Sequence, residues 1–194
     1  MKKNFIIVII AVVLTAVCAV MSYAEIPDTY KSQYENDVKI VSLNLKVNAS
    51  SDNAEYSIEG EILSKLEDNL TMKDSDGQVV RKMIDEYNLI SQNNHSIVDS
   101  ENNVTYTCNG RIKVFADSYD VYKDGQKVAY AEFNVFDTEG KLYNANGEKI
   151  AQYNSGYFRK DYTVTVFESC KMEDEDVLMI FASYVSDKRA DAED

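Results

Sequence analysis

Hydrophobic and polar residues alternate along most of this chain, and turn residues interrupt the alternation roughly every ten positions. An alternation with a period of two predicts β-strands that bury one face. It is clear in residues 43–47, 56–62, 111–115 and 132–136. The pattern therefore predicts a long antiparallel meander of about twelve short strands.

Four short turn motifs recur between these runs. They are Asp76-Gly77, Asn102-Asn103, Asp124-Gly125 and Asn146-Gly147. Gly, Asn and Asp tolerate a positive φ, so each motif predicts a two-residue hairpin turn. Residues 74–77 also resemble the start of a calcium-binding loop, but no Glu stands at the twelfth position. A plain acidic hairpin turn is the better interpretation there.

The segment 176–187 has a different pattern, because its apolar residues cover every side of a helical wheel. Acidic residues precede it at 173–176 and Lys188 and Arg189 follow it, which is the charge order that favours a helix dipole. At about 18 Å, such a helix is too short to cross a bilayer. We therefore expect it to be buried within the protein.

A meander of this length is expected to close, because closure removes the exposed edges of a sheet. A barrel of about twelve strands has a lumen that side chains from the strands alone do not fill. We therefore predict a mainly β protein, a closed antiparallel barrel at residues 38–189 around a central helix at 176–187. Residues 190–194 are expected to form a disordered acidic tail.

The N-terminal segment before this domain resembles a targeting signal. Lys2 and Lys3 are followed by seventeen uncharged residues at 5–21, and Ala24 suits cleavage by signal peptidase. Residues 1–24 are thus a signal peptide or an N-terminal membrane anchor formed by an apolar helix, and both alternatives stay open. Residues 25–37 are polar and are expected to form a tether. In either case the domain is exported, and is secreted or anchored to the membrane.

The charge and the cysteines restrict partners and cofactors. The net charge of −13 argues against binding to nucleic acid and against adsorption to anionic membranes. Cys108 and Cys170 follow the N-terminal segment and are predicted either to form a disulfide or to remain as two buried thiols. The sequence has no cluster of Cys and His with metal-binding spacing, so we predict no metal and no cofactor.

The spaced hairpin turns, followed by an apolar helix with Asp176 before it and Asp187-Lys188 after it, resemble the tubby-like fold. Within that group the chain is most similar to the LURP-one-related family, whose relatives include phospholipid scramblases and tubby C-terminal domains. The resemblance covers residues 38–189 and implies a twelve-stranded barrel around a central helix. It implies little about activity. Tubby proteins bind phosphoinositides through basic residues, whereas this chain is acidic, so no binding residue is carried over.

Candidate chemistry is sparse. His95 is the one imidazole of the chain, so a catalytic triad is hard to build, and a histidine with a structural or exposed position is expected. Three basic groups could hold an anionic head group if two of them converged at one rim of the barrel, and they are Arg81-Lys82, Arg111/Lys113 and Arg159-Lys160. The alternative is that they are solvated strand ends.

These observations favour a non-catalytic binding domain that acts at the cell surface. Its partner is expected to be a membrane lipid, through the head group, or an envelope protein. One alternative is a secreted hydrolase that uses paired carboxylates in a cleft at the barrel end. Another is a purely structural envelope protein. The oligomeric state is left open.

Overall fold

The computed structural model describes residues 29–39, 42–50, 54–62, 68–85, 94–111, 118–134, 136, 138–155 and 161–192. The described side chains begin at Ala54. The predicted signal or anchor at 1–24 and the basic pair Arg159-Lys160 lie outside the described residues.

Within these described residues, twelve strands precede one helix. The strands are β1 (Thr29–Lys39), β2 (Ser42–Ser50), β3 (Glu55–Ile62), β4 (Asp68–Asp74), β5 (Val79–Asp85), β6 (Asn94–Asp99), β7 (Val104–Arg111), β8 (Ser118–Lys123), β9 (Gln126–Phe133), β10 (Glu139–Asn144), β11 (Lys149–Ser155) and β12 (Asp161–Val166). The helix is α1 (Asp174–Ala192). All the strand pairs are antiparallel, and consecutive strands are neighbours throughout.

The prediction of a barrel that closes within residues 38–189 is wrong. The strands of that range, β2 to β12, form one antiparallel sheet whose ends, β2 and β12, do not pair with each other. β1 pairs with both ends, with β12 on one side and with β2 on the other. The ring of strands around α1 is therefore complete only with β1, which starts at Thr29, upstream of the predicted domain.

Three other boundaries differ from the sequence prediction. β1 occupies most of the segment predicted to be a tether. The predicted run at 132–136 begins inside β9, which ends at Phe133. Of the run at 111–115, only Arg111, the last residue of β7, lies within the described residues. Finally, α1 begins at Asp174 and continues to Ala192, so it includes most of the predicted tail. Within the described part of the chain, no helix combines the length and apolar composition needed to cross a membrane.

Three of the four hairpin turns share a five-residue design that the sequence did not predict. In the first of them, Asp74 Oδ1 accepts hydrogen bonds from the backbone N–H groups of Asp76 and Gln78, at 3.0 and 2.8 Å. Asp99 and Asn144 do the same in the turns that follow β6 and β10. The two-residue turn with two positive φ angles occurs at Asp124-Gly125, and the prediction is confirmed there.

The core lies between the sheet and α1. Every residue from Asp176 to Ser186 is buried, which agrees with a helix that is apolar on all sides. Aromatic rings from the sheet surround its middle: Phe133 stacks on Tyr184 and Tyr153 on Phe181. Gly140 permits this close packing, because a Cβ there would lie 2.6 Å from the Phe133 ring. The central position predicted for the helix is thus supported by its burial.

Candidate functional site

The first polar cluster fixes the start of α1, and we call it the helix-start cluster. Arg81 on β5 donates from Nε to Asp176 Oδ1 at 2.8 Å and from Nη2 to Glu173. Thr105 on β7 donates to the same Asp176 oxygen at 2.9 Å. Burial alone would lower the pKa of Arg81, but its hydrogen bonds with Asp176 and Glu173 outweigh burial and raise that pKa above its usual value. The cluster joins the first turn of the helix to two strands.

A tyrosine on β3 extends the helix-start cluster. Tyr56 donates from its hydroxyl to Glu175 Oε1 at 2.7 Å. Burial, and then the hydrogen bond to Glu175, raise the pKa of Tyr56 well above its usual value, so the phenol stays protonated and remains a donor. Side chains of three strands therefore hold the acidic first turn, and this cluster has a structural role.

Arg81 and Lys82, the described pair of predicted head-group residues, bind different partners. The guanidinium of Arg81 is engaged by two carboxylates, so an external anion would have to compete with them. Lys82 follows it on β5 and donates to Asn102 Oδ1 at 2.9 Å on the exposed side of the sheet. The other predicted pair, Arg159-Lys160, lies outside the described residues.

The two cysteines of the domain are thiols in the structure. Cys108 is wholly buried in the core, and Cys170 lies after β12, where its Sγ is 3.8 Å from the carbonyl oxygen of Met172. Burial raises the pKa of the Cys170 thiol, which makes it a poorer nucleophile at neutral pH. The buried-thiol alternative describes Cys108 well, and the disulfide stays a prediction for the exported protein.

His95 is sealed inside the sheet. Its Nε2 lies 2.9 Å from Ser183 Oγ, and that hydroxyl also donates to the carbonyl oxygen of Ile180 at 2.8 Å. The hydroxyl therefore accepts from His95, which assigns the imidazole proton to Nε2. Burial lowers the pKa of His95 to about 4, so the ring is neutral at pH 7. A substrate has no access to it, because both partners are buried.

The second polar cluster lies on the solvent side of the sheet, and we call it the β8 face. Tyr119 and Val121 of β8 point into the core, so Ser118 and Asp120 lie on the opposite side. Strand register places two rows of side chains there. The first row is Arg111, Ser118, Glu132 and Lys141, and the second is Asn109, Asp120, Tyr130 and Tyr143.

Asp120 is the centre of the β8 face. Its Oδ2 accepts hydrogen bonds from Arg111, and Lys127 Nζ lies 2.6 Å from Oδ1 as an ion pair. The ammonium of Lys127 is also 5.0 Å from the ring centroid of Tyr130, which in turn stacks on Tyr143. A carboxylate, two cations and two aromatic rings are thus adjacent.

Two polar atoms of the β8 face are buried without a hydrogen bond. Ser118 Oγ has no partner among the described residues, and its residue is 4% exposed. Asp120 Oδ1 has its ion pair with Lys127, but no hydrogen bond of good geometry reaches it. Buried polar groups are usually satisfied, and each exception calls for an explanation. Each atom has almost no exposed surface, so a ligand would complete its bonding by replacing the side chains that cover it.

This cluster is not evident in the sequence. Arg111 stands out there as a basic residue but its acidic partner does not, because the two are brought together by the pairing of β7 with β8. The available signal was the alternation in residues 118–122, where Tyr119 and Val121 mark the buried side and leave Ser118 and Asp120 outside. Within the described residues, no group of three or more His, Cys, Asp or Glu could hold a metal ion.

Two solved structures resemble the chain at a low level. A protein from Arabidopsis thaliana of known X-ray structure is 11% identical, covers 87% of this chain and 95% of its own, and has a TM-score of 0.37. A domain described as an outer membrane lipoprotein-sorting protein, from Vibrio parahaemolyticus, is 7% identical and covers 83% and 90%, with a TM-score of 0.30. Neither likeness carries an argument, since both TM-scores are below 0.5. Neither a protein-family model nor a curated protein matches the chain.

Proposed function

We propose that this chain is a non-catalytic binding domain that acts outside the cytoplasm and binds a lipid head group on the β8 face. The observation that carries the proposal is the pair of buried, incompletely bonded atoms, Ser118 Oγ and Asp120 Oδ1, on the solvent side of a packed sheet. A buried donor or acceptor without a partner costs free energy, and a polar ligand group would remove that cost. The location follows from the predicted export segment at 1–24.

A small polar group suits this surface better than a large protein interface. The exposed large apolar residues of the described chain are Ile84 on β5, Val104 on β7 and Phe136 between β9 and β10. They lie on different elements and do not form the contiguous apolar centre that a stable protein interface requires. The β8 face instead offers polar groups beside two half-buried tyrosines.

Two observations support a role without catalysis. The one imidazole of the chain is enclosed beside Ser183 and cannot reach a substrate. On the β8 face, the carboxylate of Asp120 is held by Arg111 and Lys127, an arrangement suited to fixing its geometry. The kinship with the LURP-one-related family stays a prediction, supported by the order of hairpins and terminal apolar helix.

Vesicle flotation tests the proposal. Residues 25–194 contain every described strand and helix, so this fragment can be mixed with vesicles of single head-group classes. We expect it to float with at least one class, and we expect Asp120→Asn to abolish flotation. The matched control is Glu59→Gln, which changes a carboxylate on β3 that pairs with Lys73 at 3.2 Å. A fragment that floats with no lipid class, or an Asp120→Asn variant that floats like the parent, would contradict the proposal.

A further inference from the structure

The charges of the β8 face alternate in sign. Arg111 and Glu132 flank Ser118 in the first row, and Lys141 follows Glu132 and pairs with Glu139 at 3.0 Å. Asp120, in the second row, forms ion pairs with Arg111 of the first row and with Lys127 of the neighbouring strand β9. Three basic and three acidic side chains therefore share this surface, and it carries no net charge.

This balance selects against ligands with a net charge. A phosphate placed near Arg111 and Lys127 would also meet the carboxylate of Asp120, and like charges at close range disfavour binding. An ammonium placed near Asp120 would be repelled by Arg111 and Lys127, which already pair with that carboxylate. A neutral group that both donates and accepts hydrogen bonds has neither difficulty.

The hydrogen-bonding groups of the β8 face include both donors and acceptors. Asp120 Oδ1 accepts, the hydroxyl of Ser118 can donate and accept, and the side chains of Arg111 and Lys127 keep 49% and 35% of their surface exposed for donation. The stacked rings of Tyr130 and Tyr143 add apolar surface in the next positions of the row. A sugar ring has the matching features, since its hydroxyls donate and accept while its C–H faces pack against aromatic rings.

We propose that the β8 face binds a neutral sugar ring, with hydroxyls on Ser118 and Asp120 and an apolar side against the tyrosine pair. This inference rests on the proposed function and names the ligand class of the same site. The sugar could be the head group of a glycolipid or part of a soluble glycan, because the face would recognise the same hydroxyls in both.

The test uses the fragment 25–194 and three kinds of vesicle: phosphatidylcholine alone, phosphatidylcholine with phosphatidylglycerol, and phosphatidylcholine with monogalactosyl or monoglucosyl diacylglycerol. Methyl galactoside and methyl glucoside are titrated in parallel and followed through the amide resonances of β8. We expect flotation with the glycolipid vesicles alone, and a shift of the β8 resonances by the soluble sugars.

Ser118→Ala separates binding from folding. It removes a buried hydroxyl that has no partner among the described residues, so thermal stability should be unchanged or slightly higher. Sugar affinity should fall about three- to tenfold, the loss expected for one hydrogen bond. Asp120→Asn should reduce affinity by at least about tenfold, since its oxygen is a charged acceptor, and Glu59→Gln should have no effect.

Each outcome decides between the two proposals. Flotation with phosphatidylglycerol vesicles that Asp120→Asn abolishes would keep the proposed function and overturn the sugar ligand. A response to the soluble sugars without flotation would support the sugar and overturn the lipid source. If Ser118→Ala binds the glycolipid as tightly as the parent, the β8 face is not the sugar site. No response to any probe would reject both proposals.

Discussion

Because of His95, the stability of this protein should fall as the pH is lowered from 6.5 towards 4. In the folded protein, burial lowers its pKa to about 4 from the ordinary value of 6.5. The unfolded chain therefore binds a proton at His95 more readily than the folded protein does. The stability that the neutral imidazole contributes is complete above pH 6.5 and is lost as the pH falls towards 4. Linkage gives a loss of about 1.4 kcal/mol at pH 5.5 and about 2.5 kcal/mol at pH 4.5.

Urea denaturation at pH 7.5, 6.5, 5.5 and 4.5 measures this loss, with His95→Gln as the comparison. The amide of Gln can still bond to Ser183 but does not titrate, so carboxylate effects are common to both proteins and cancel in the difference. Because the chain has a single His, its imidazole resonance can also be titrated without assignment ambiguity. Equal losses of stability in both proteins, or an imidazole midpoint near 6.5, would refute the reasoning.

Three substitutions test the packing by urea denaturation. Ile180→Asp places an unpaired charge in a fully buried site, and we expect a loss above about 4 kcal/mol, whereas Ile84→Asp, at a site that is 41% exposed, should cost far less. Equal effects would mean that the helix is not central. Arg81→Gln leaves the buried carboxylate of Asp176 without its cation and should cost about 3 kcal/mol; a neutral result would show that the cluster does not hold the helix. Gly140→Ala should cost about 1–3 kcal/mol, because its methyl group would meet the Phe133 ring, and a variant as stable as the parent would disprove the close contact.

The local elements of this fold were accessible from sequence because their causes are local. The apolar surface of the segment 176–187 predicted a buried helix, and Asp124-Gly125 predicted its turn. The other three turns were predicted to have two residues but have five. The same residue types support this longer turn, in which the side chain of Asp74 or Asp99 accepts hydrogen bonds from two backbone N–H groups.

The predictions that were wrong concern contacts between segments that are distant in the sequence. The strands of the predicted range do not close into a ring without β1, and the alternation of residues does not show where β1 pairs. β1 was assigned to a tether because its composition is polar, but its pairing with β12 is made by backbone groups, which any sequence supplies. The β8 face failed for the same reason: Arg111 and Asp120 become neighbours through register, and neither residue is distinctive alone.

The position of α1 after all twelve strands has a consequence for the order of folding. The sheet is complete in sequence at Val166, but the residues that fill its centre begin at Val177. A growing chain folds as its segments are made, from the N-terminus onward. Here the strands have no apolar centre to pack against until α1 has been synthesised, and β1 cannot pair with β12 before β12 is made. The polypeptide is thus kept from folding early, which would suit the export predicted from residues 1–24.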